Sequence, residues 1–157
     1  MVETEPLGTA GPITLLPHNF RSPVLVVNGD LVTKVNFENL LNFHEEGGFS
    51  MTAGVKEISQ QLPFGVVITD GDQIVGLQEK PTETRLINTG VYVMDPDILE
   101  LVPADTYYDM NMLVDSLIAD TQRTVGAFLI HEYWMDIGTP ADYQRAQGEY
   151  PAYFGNE

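Results

Sequence analysis

Four consecutive apolar residues, Val24-Leu25-Val26-Val27, run without a polar break into Asn28-Gly29-Asp30. A short apolar run bounded by turn chemistry is the pattern of a strand covered on both faces in a parallel sheet. Such a strand must lie between layers, so the chain has to supply helices around it. Downstream, Phe37, Leu40 and Leu41 keep i, i+3, i+4 spacing, with Asn36 placed to cap and Gly47-Gly48 to stop a helix. A strand is expected over 50–56, and two β-rich runs flanking Asp70-Gly71-Asp72 predict a hairpin. Residues 87–94 read as a strand, and Asp95-Pro96-Asp97 caps a short helix. Met110, Leu113, Val114, Leu117 and Ile118 give helical spacing behind Asp109, predicting a helix over 110–119. Residues 124–131 form a further strand, and Thr139-Pro140-Ala141-Asp142 supplies the cap, first-turn proline and N3 acid of a last helix. The expected architecture is α/β, a single domain over 1–157, with parallel strands early and antiparallel ones later.

Composition narrows the function. Seven Lys plus Arg face 23 Asp plus Glu, a formal charge of −16. That field repels phosphate backbones and anionic membranes, so neither nucleic acid nor a membrane is an expected partner. A phosphorylated small ligand would need metal cations to offset it. No apolar run reaches the ~20 residues of a membrane helix. The start, MVETEPLGTAGP, has no basic, apolar signal-peptide pattern, and the chain has no cysteine, so a cytoplasmic setting is expected.

Ligands of open α/β sheets sit beyond the carboxyl ends of the strands, where Asp30 falls and Gly29 permits close approach. Asn-Gly-Asp is also ordinary turn chemistry, so this segment alone leaves both readings open. Tyr133-Trp134-Met135-Asp136-Ile137-Gly138-Thr139 repeats the pattern, an acid and a glycine before a helix start. Two such acids suit magnesium held against phosphates, though Asp136 could equally cap its own turn. In Glu79-Lys80-Pro81 the proline is expected to hold Lys80 extended, sending the two charges to opposite faces. One could then accept bonds from hydroxyls while the other neutralises a phosphate; a plain surface pair is the alternative. Leu7-Gly8-Thr9-Ala10-Gly11-Pro12 is a small-residue loop whose amides could approach a nucleotide, without the ending of a P-loop. His18, His44 and His131 share no metal spacing and read as structural or exposed. Ser22, Ser50, Ser59 and Ser116 sit in no nucleophile elbow, and Met110 and Met112 read as core filling.

EPLGTAGP, VVNGD, FGVV, EKP, INTGVYV and WMDIGTPADY occur in the order found in the sugar-1-phosphate nucleotidylyltransferase family. From about Glu5 to Tyr143 the chain resembles that family, especially its mannose-1-phosphate guanylyltransferase-like domains. The resemblance implies a Rossmann-like nucleotide-diphospho-sugar transferase fold with a mixed sheet. It also implies transfer of a nucleotidyl group from a nucleoside triphosphate, GTP by the likeness of LGTAGP, to a sugar 1-phosphate. Pyrophosphate would be released and Mg2+ would be the cofactor. Leu7, Gly8, Thr9, Ala10, Gly11 and Gly29 would then contact the nucleotide, and Asp30 and Asp136 would hold the metal. Gly65 would meet the sugar, Glu79 its hydroxyls, Lys80 its phosphate, and Asn88 with Gly90 another hydroxyl.

The family also carries a strand and a G-x-G-x-R loop followed by Lys, and no such motif precedes Glu5. The expectation is an N-terminally truncated domain, impaired in turnover, with a bared strand edge that favours a homo-oligomer. The alternative is a non-catalytic sugar-phosphate-binding or regulatory module.

Overall fold

A computed structural model describes residues 5–17 and 19–155; the expectation for His18 lies outside the described residues. Helix α1 (Phe37–Gly47) forms between the signals that predicted it: Asn39 N–H donates to Asn36 Oδ1 at 3.0 Å, and Gly48 turns left-handed at φ 59°. Strand β6 (Thr82–Met94) is the spine of a four-stranded sheet ordered β1-β6-β3-β7, with β1 Val24–Val27, β3 Met51–Gln61 and β7 Val125–Leu129. Alternation along β6 divides the core in two. Tyr92 and Met94 face one cluster with Met51, Ile98, Leu113 and Leu117, covered by α3 (Met110–Ala119). Val91 and Val93 face the other, with Leu40 of α1 and Ile130. A side chain at Gly54 would meet Thr89 Oγ1 at 2.8 Å, and the β3–β6 register shifts there. Thr89 Oγ1 instead donates to the Gly54 carbonyl at 2.7 Å.

Several expectations need correction. Strand β1 runs antiparallel to β6, and the only parallel pairing among the described residues is β3 with β7. Nor is β1 covered on both faces, since Leu25 and Val27 are each more than a third exposed, while its place at the sheet's edge is the bared edge that was expected. An unbroken apolar run does not distinguish a buried strand from a half-buried edge. Strands β3 and β6 are longer than predicted, because Lys56–Gln61 pairs with Thr82–Ile87 beyond the rest of the sheet. Those mostly polar residues, with Ile58 and Leu86 exposed among them, bury too little to leave a periodic signal, and the ladder is held by backbone bonds. The arm they form leads into the predicted hairpin, β4 (Val66–Asp70) and β5 (Gln73–Gln78), which turns at Gly71 with φ 56°.

One expected cap also differs. Asp95 precedes α2 (Pro96–Leu99) without a side-chain cap bond. Its carboxylate lies 3.3 Å from Nε2 of the buried His44, whose Nδ1 is 3.0 Å from Thr52 Oγ1. Asp109 makes no cap bond to α3 either. On α3, Met110 is core, but Met112 is exposed, because positions two apart point to different sides of a helix. The expected cap of α4 (Pro140–Phe154) is present: Asp142 N–H donates to Thr139 Oγ1 at 3.2 Å, and that hydroxyl donates to Asp142 Oδ2 at 2.7 Å.

The two sides of α3 should respond differently to truncation. Leu113 is fully buried while Ile118 is 68% exposed. Leu113→Ala should lose about 2–5 kcal/mol in urea unfolding, and Ile118→Ala should stay within about 0.5 kcal/mol of the parent. Equal losses would refute this orientation of the helix.

Candidate functional site

The turn after β1 carries Asn28, Gly29 and Asp30 straight into β2 (Leu31–Thr33). Strand β2 pairs with β8 (Trp134–Asp136), setting Leu31 opposite Asp136. Ile137 N–H then donates to the Asp30 carbonyl at 2.8 Å. Two acids 106 positions apart in sequence thus flank one point. A Cβ built on Gly138 would sit 3.0 Å from Asp136 Oδ1 and 3.3 Å from Asp30 Oδ2. The Gly138 amide donates to Asp136 Oδ1 at 2.8 Å, fixing that carboxylate. Both aspartates are exposed, so each keeps oxygen lone pairs for a ligand.

Asp30 and Gly29 line an open cleft of about 490 Å³ with Thr9, Val26, Val27 and Asn28. A second cleft, about 370 Å³, shares Thr9 and Asn28 and continues along Asn88, Gly90, Tyr92, Asp109, Met110 and Asn111. Gly90 makes this junction possible. It sits at φ 74°, where a side chain would collide with the Asn28 amide, and its carbonyl accepts the Asn28 N–H at 2.9 Å. Asn88 Oδ1 accepts the Gly90 N–H at 3.2 Å, while Asn88 Nδ2 donates to Tyr92 Oη at 2.6 Å. Burial pushes the Tyr92 phenol above its ordinary value, outweighing the opposing effect of the Asn88 bond.

The loop 7–11 is stapled to the start of α3. Ala10 and Gly11 N–H both donate to the Tyr108 carbonyl at 2.9 Å, and Thr9 N–H donates to Asp109 Oδ1 at 3.1 Å. Three amides expected to face a nucleotide are therefore spent inside the protein, and Ala10 and Gly11 are themselves buried. What this loop gives both clefts is Thr9. Gly8, at φ 80°, is pressed so closely on Tyr108 and Asp109 that a side chain would sit 2.8 Å from the Tyr108 carbonyl oxygen. Leu7 accepts the Tyr108 N–H through its carbonyl at 2.8 Å.

Gly65, Glu79 and Lys80 form a separate group. Glu79 Oε2 lies 3.2 Å from the point a Gly65 Cβ would occupy, but none of the three lines either cleft. They lie near the arm's end, where Gln61 pairs with Thr82. Asn88 is six steps from Thr82 along β6, roughly 20 Å at strand rise. Lys80 is not extended: it is left-handed at φ 44°. Only Glu79, Lys80 and Pro81 separate β5 from β6, and Gln61 Nε2 holds the Lys80 carbonyl at 3.3 Å. The tight connection overrides the usual preference of a residue before proline.

Four polar cleft residues escaped the sequence reading: Asn28, Tyr92, Asp109 and Asn111. Tyr92 was recoverable, because residues 88, 90 and 92 share one side of a strand. Asp109 and Asn111 gave no signal beyond that of a helix start.

The sequence matches the nucleotidyl transferase family over residues 1–152. The chain belongs to that family. Among curated relatives, it is 32% identical to a putative mannose-1-phosphate guanyltransferase of Sulfolobus acidocaldarius over 92% of this chain and 41% of that protein. It is 33% identical to the mannose-1-phosphate guanyltransferase of Schizosaccharomyces pombe over 90% of this chain and 41% of that protein. The chain thus spans about two-fifths of the length of those relatives. Among solved structures, HddC from Yersinia pseudotuberculosis complexed with GMP-PN superposes with TM-score 0.68 at 25% identity, covering 96% of this chain and 65% of that one. These neighbours share the nucleotide-diphospho-sugar transferase fold, with its mixed sheet.

The Thr9–Asp109 staple should depend on pH. The Tyr107 hydroxyl, 2.8 Å away, and the Thr9 amide hold the Asp109 carboxyl below its ordinary value, and the same carboxylate raises the Tyr107 phenol. A depressed carboxylate stabilises fully above its unfolded value and less as pH falls through the folded one. Amide-exchange protection at Thr9 should therefore hold at neutral pH and decline through and below the ordinary aspartate range. Asp109→Asn should remove the dependence; an unchanged acid profile in that variant would refute the staple.

Proposed function

We propose that the chain contributes the acceptor and metal-binding part of a nucleotidyl-transfer site, moving a guanylyl group from GTP to a hexose 1-phosphate. One observation carries this reading: Asp30 and Asp136 converge on the Gly138 position at the mouth of a cleft. Two exposed carboxylates with hard oxygen donors suit Mg2+, which is commonly held by one or two carboxylates plus substrate phosphates. No cluster of three or more His, Cys, Asp or Glu occurs among the described residues, so phosphate oxygens and water would complete the shell. When bound, the ion would neutralise charge developing on the triphosphate. The relatives named as mannose-1-phosphate guanyltransferases favour guanine and mannose.

The chemistry asks for position more than for proton transfer. A phosphate oxygen of the sugar 1-phosphate is already an anionic nucleophile. It forms a bond to the α-phosphorus as the bond to the β-phosphate oxygen breaks, and pyrophosphate departs with the electron pair. Asp30 and Asp136 fix where the phosphates sit, and the Gly138 amide holds Asp136 in line. Gly29 lets the nucleotide approach the turn, and Thr9 forms the wall between the nucleotide and sugar sides. Glu79 and Lys80 carry no part of this reading.

A specific observation favours a second reading. Among the described residues, neither cleft is lined by Lys, Arg or His. Such a lining offers no cation of its own against the several charges of a triphosphate, and a module that takes only a sugar's single phosphate has less charge to offset.

Pyrophosphate release, followed over a panel of triphosphates and sugar 1-phosphates with Mg2+, separates the two. Turnover with GTP and a hexose 1-phosphate is expected, impaired relative to the guanyltransferases of which this chain spans about two-fifths. Asp30→Asn and Asp136→Asn should each lower it at least about 100-fold, the scale of losing one preorganised charge at a reacting phosphate. Unaltered rates in both variants would sink the metal assignment, and sugar-phosphate binding with no triphosphate binding would establish the second reading.

A further inference from the structure

We propose that Asn111 is a specificity-determining residue that reads a ring hydroxyl of the sugar; this rests on the nucleotidyl-transfer reading and extends it to the acceptor's ring. The second cleft differs chemically from the first. Its polar lining is dominated by the side-chain amides of Asn28, Asn88 and Asn111 and the Tyr92 phenol. Its one carboxylate, on Asp109, is taken up by Thr9 and Tyr107. Amides and phenols both donate and accept, as sugar hydroxyls do, whereas a phosphate asks for cations or concentrated N–H donors. The uncharged ring therefore belongs here, with its phosphate toward the shared Thr9–Asn28 edge and Asp30. The cleft's volume of about 370 Å³ lies within the ~300–1,000 Å³ range of small-molecule sites.

Within that lining Asn111 keeps both amide donors open on the sugar side alone, whereas Asn28, also without a side-chain bond, stands at the edge shared with the first cleft. Asn88 Nδ2 makes its short bond to Tyr92 Oη at 2.6 Å, and reaches Asn111 Oδ1 only at 3.4 Å. The Nδ2 donors of Asn111 have no partner among the described residues. Its position is nonetheless firm. Asn111 lies in the first turn of α3, beside buried Met110, whose N–H donates to Thr9 Oγ1 at 2.8 Å. A rigid element presenting one open donor–acceptor pair can tell an equatorial from an axial hydroxyl, because only one orientation completes both bonds.

Calorimetric titration of the 157-residue chain with mannose 1-phosphate and its monodeoxy analogues, in Mg2+, tests this. Asn111→Ala should weaken mannose 1-phosphate about tenfold, the scale of one net hydrogen bond. Alanine favours the helix, so the fold should survive, and an unchanged melting curve checks it. One deoxy analogue should bind parent and variant equally, because its missing hydroxyl is the one Asn111 reads; the others should keep the tenfold gap. Parent-like affinity of the variant for every ligand would overturn the proposal, as would the same deficit for every analogue. If the parent binds no sugar phosphate, the nucleotidyl-transfer reading falls with it. Binding that ignores Asn111 leaves that reading standing and removes only this one.

Discussion

Strand β6 is the constraint on which the rest depends. It is hydrogen-bonded along both edges, to β1 and β3, and it buries alternate side chains in two separate cores. A strand in that position has little freedom to slip, because a one-residue shift would exchange Val91 and Val93 with Tyr92 and Met94. Its one irregular point, Gly90, is where the sheet opens into the clefts. The Thr89 hydroxyl and carbonyl around it are tied to Gly54 and to the Trp134 indole N–H at 2.7 and 2.9 Å. The floor of the site is thereby fixed by Thr89, Gly54 and Trp134, which line neither cleft.

From that floor the two sides of the site are assembled by different means. The acidic side depends on a small two-stranded pairing, β2 with β8, that brings distant chain segments into register. The amide-rich side depends on the docking of loop 7–11 against α3, with Thr9 bonded to both Asp109 and the Met110 amide. Thr9 and Asn28 belong to both sides, so a change at either is felt across the whole groove. The arm beyond residue 55 takes no part in this packing. Many of its apolar residues are exposed, Ile74 and Leu77 by about two-thirds.

Much of this was legible in the sequence where the signal was local. Asn36, Gly48 and Thr139 mark helix ends because their chemistry acts within one turn, and they do so in the structure. Asp30 and Asp136 could each be placed at a strand end from neighbouring residues, and the order of short motifs pointed to the family. Pairing partners were not legible. The Val24–Val27 run fits a central parallel strand and an antiparallel edge equally well, since apolarity carries no strand direction. The local rule at Lys80-Pro81 yielded to a three-residue connection between strands. Asp109 and Asn111 looked like an ordinary helix start, because their neighbours in the cleft come from residues 9 and 88, far along the chain.

The uneven distribution of charge along the groove has a thermodynamic corollary. Interactions between exposed ions fade once the Debye length shrinks to about 3 Å at 1 M salt, whereas neutral hydrogen bonds scarcely notice it. Raising ionic strength should then loosen whatever gathers around Asp30 and Asp136 while leaving the grip of Asn88 and Asn111 nearly intact. A single titrant as plain as sodium chloride would thus dissect one continuous groove into its ionic and its neutral halves.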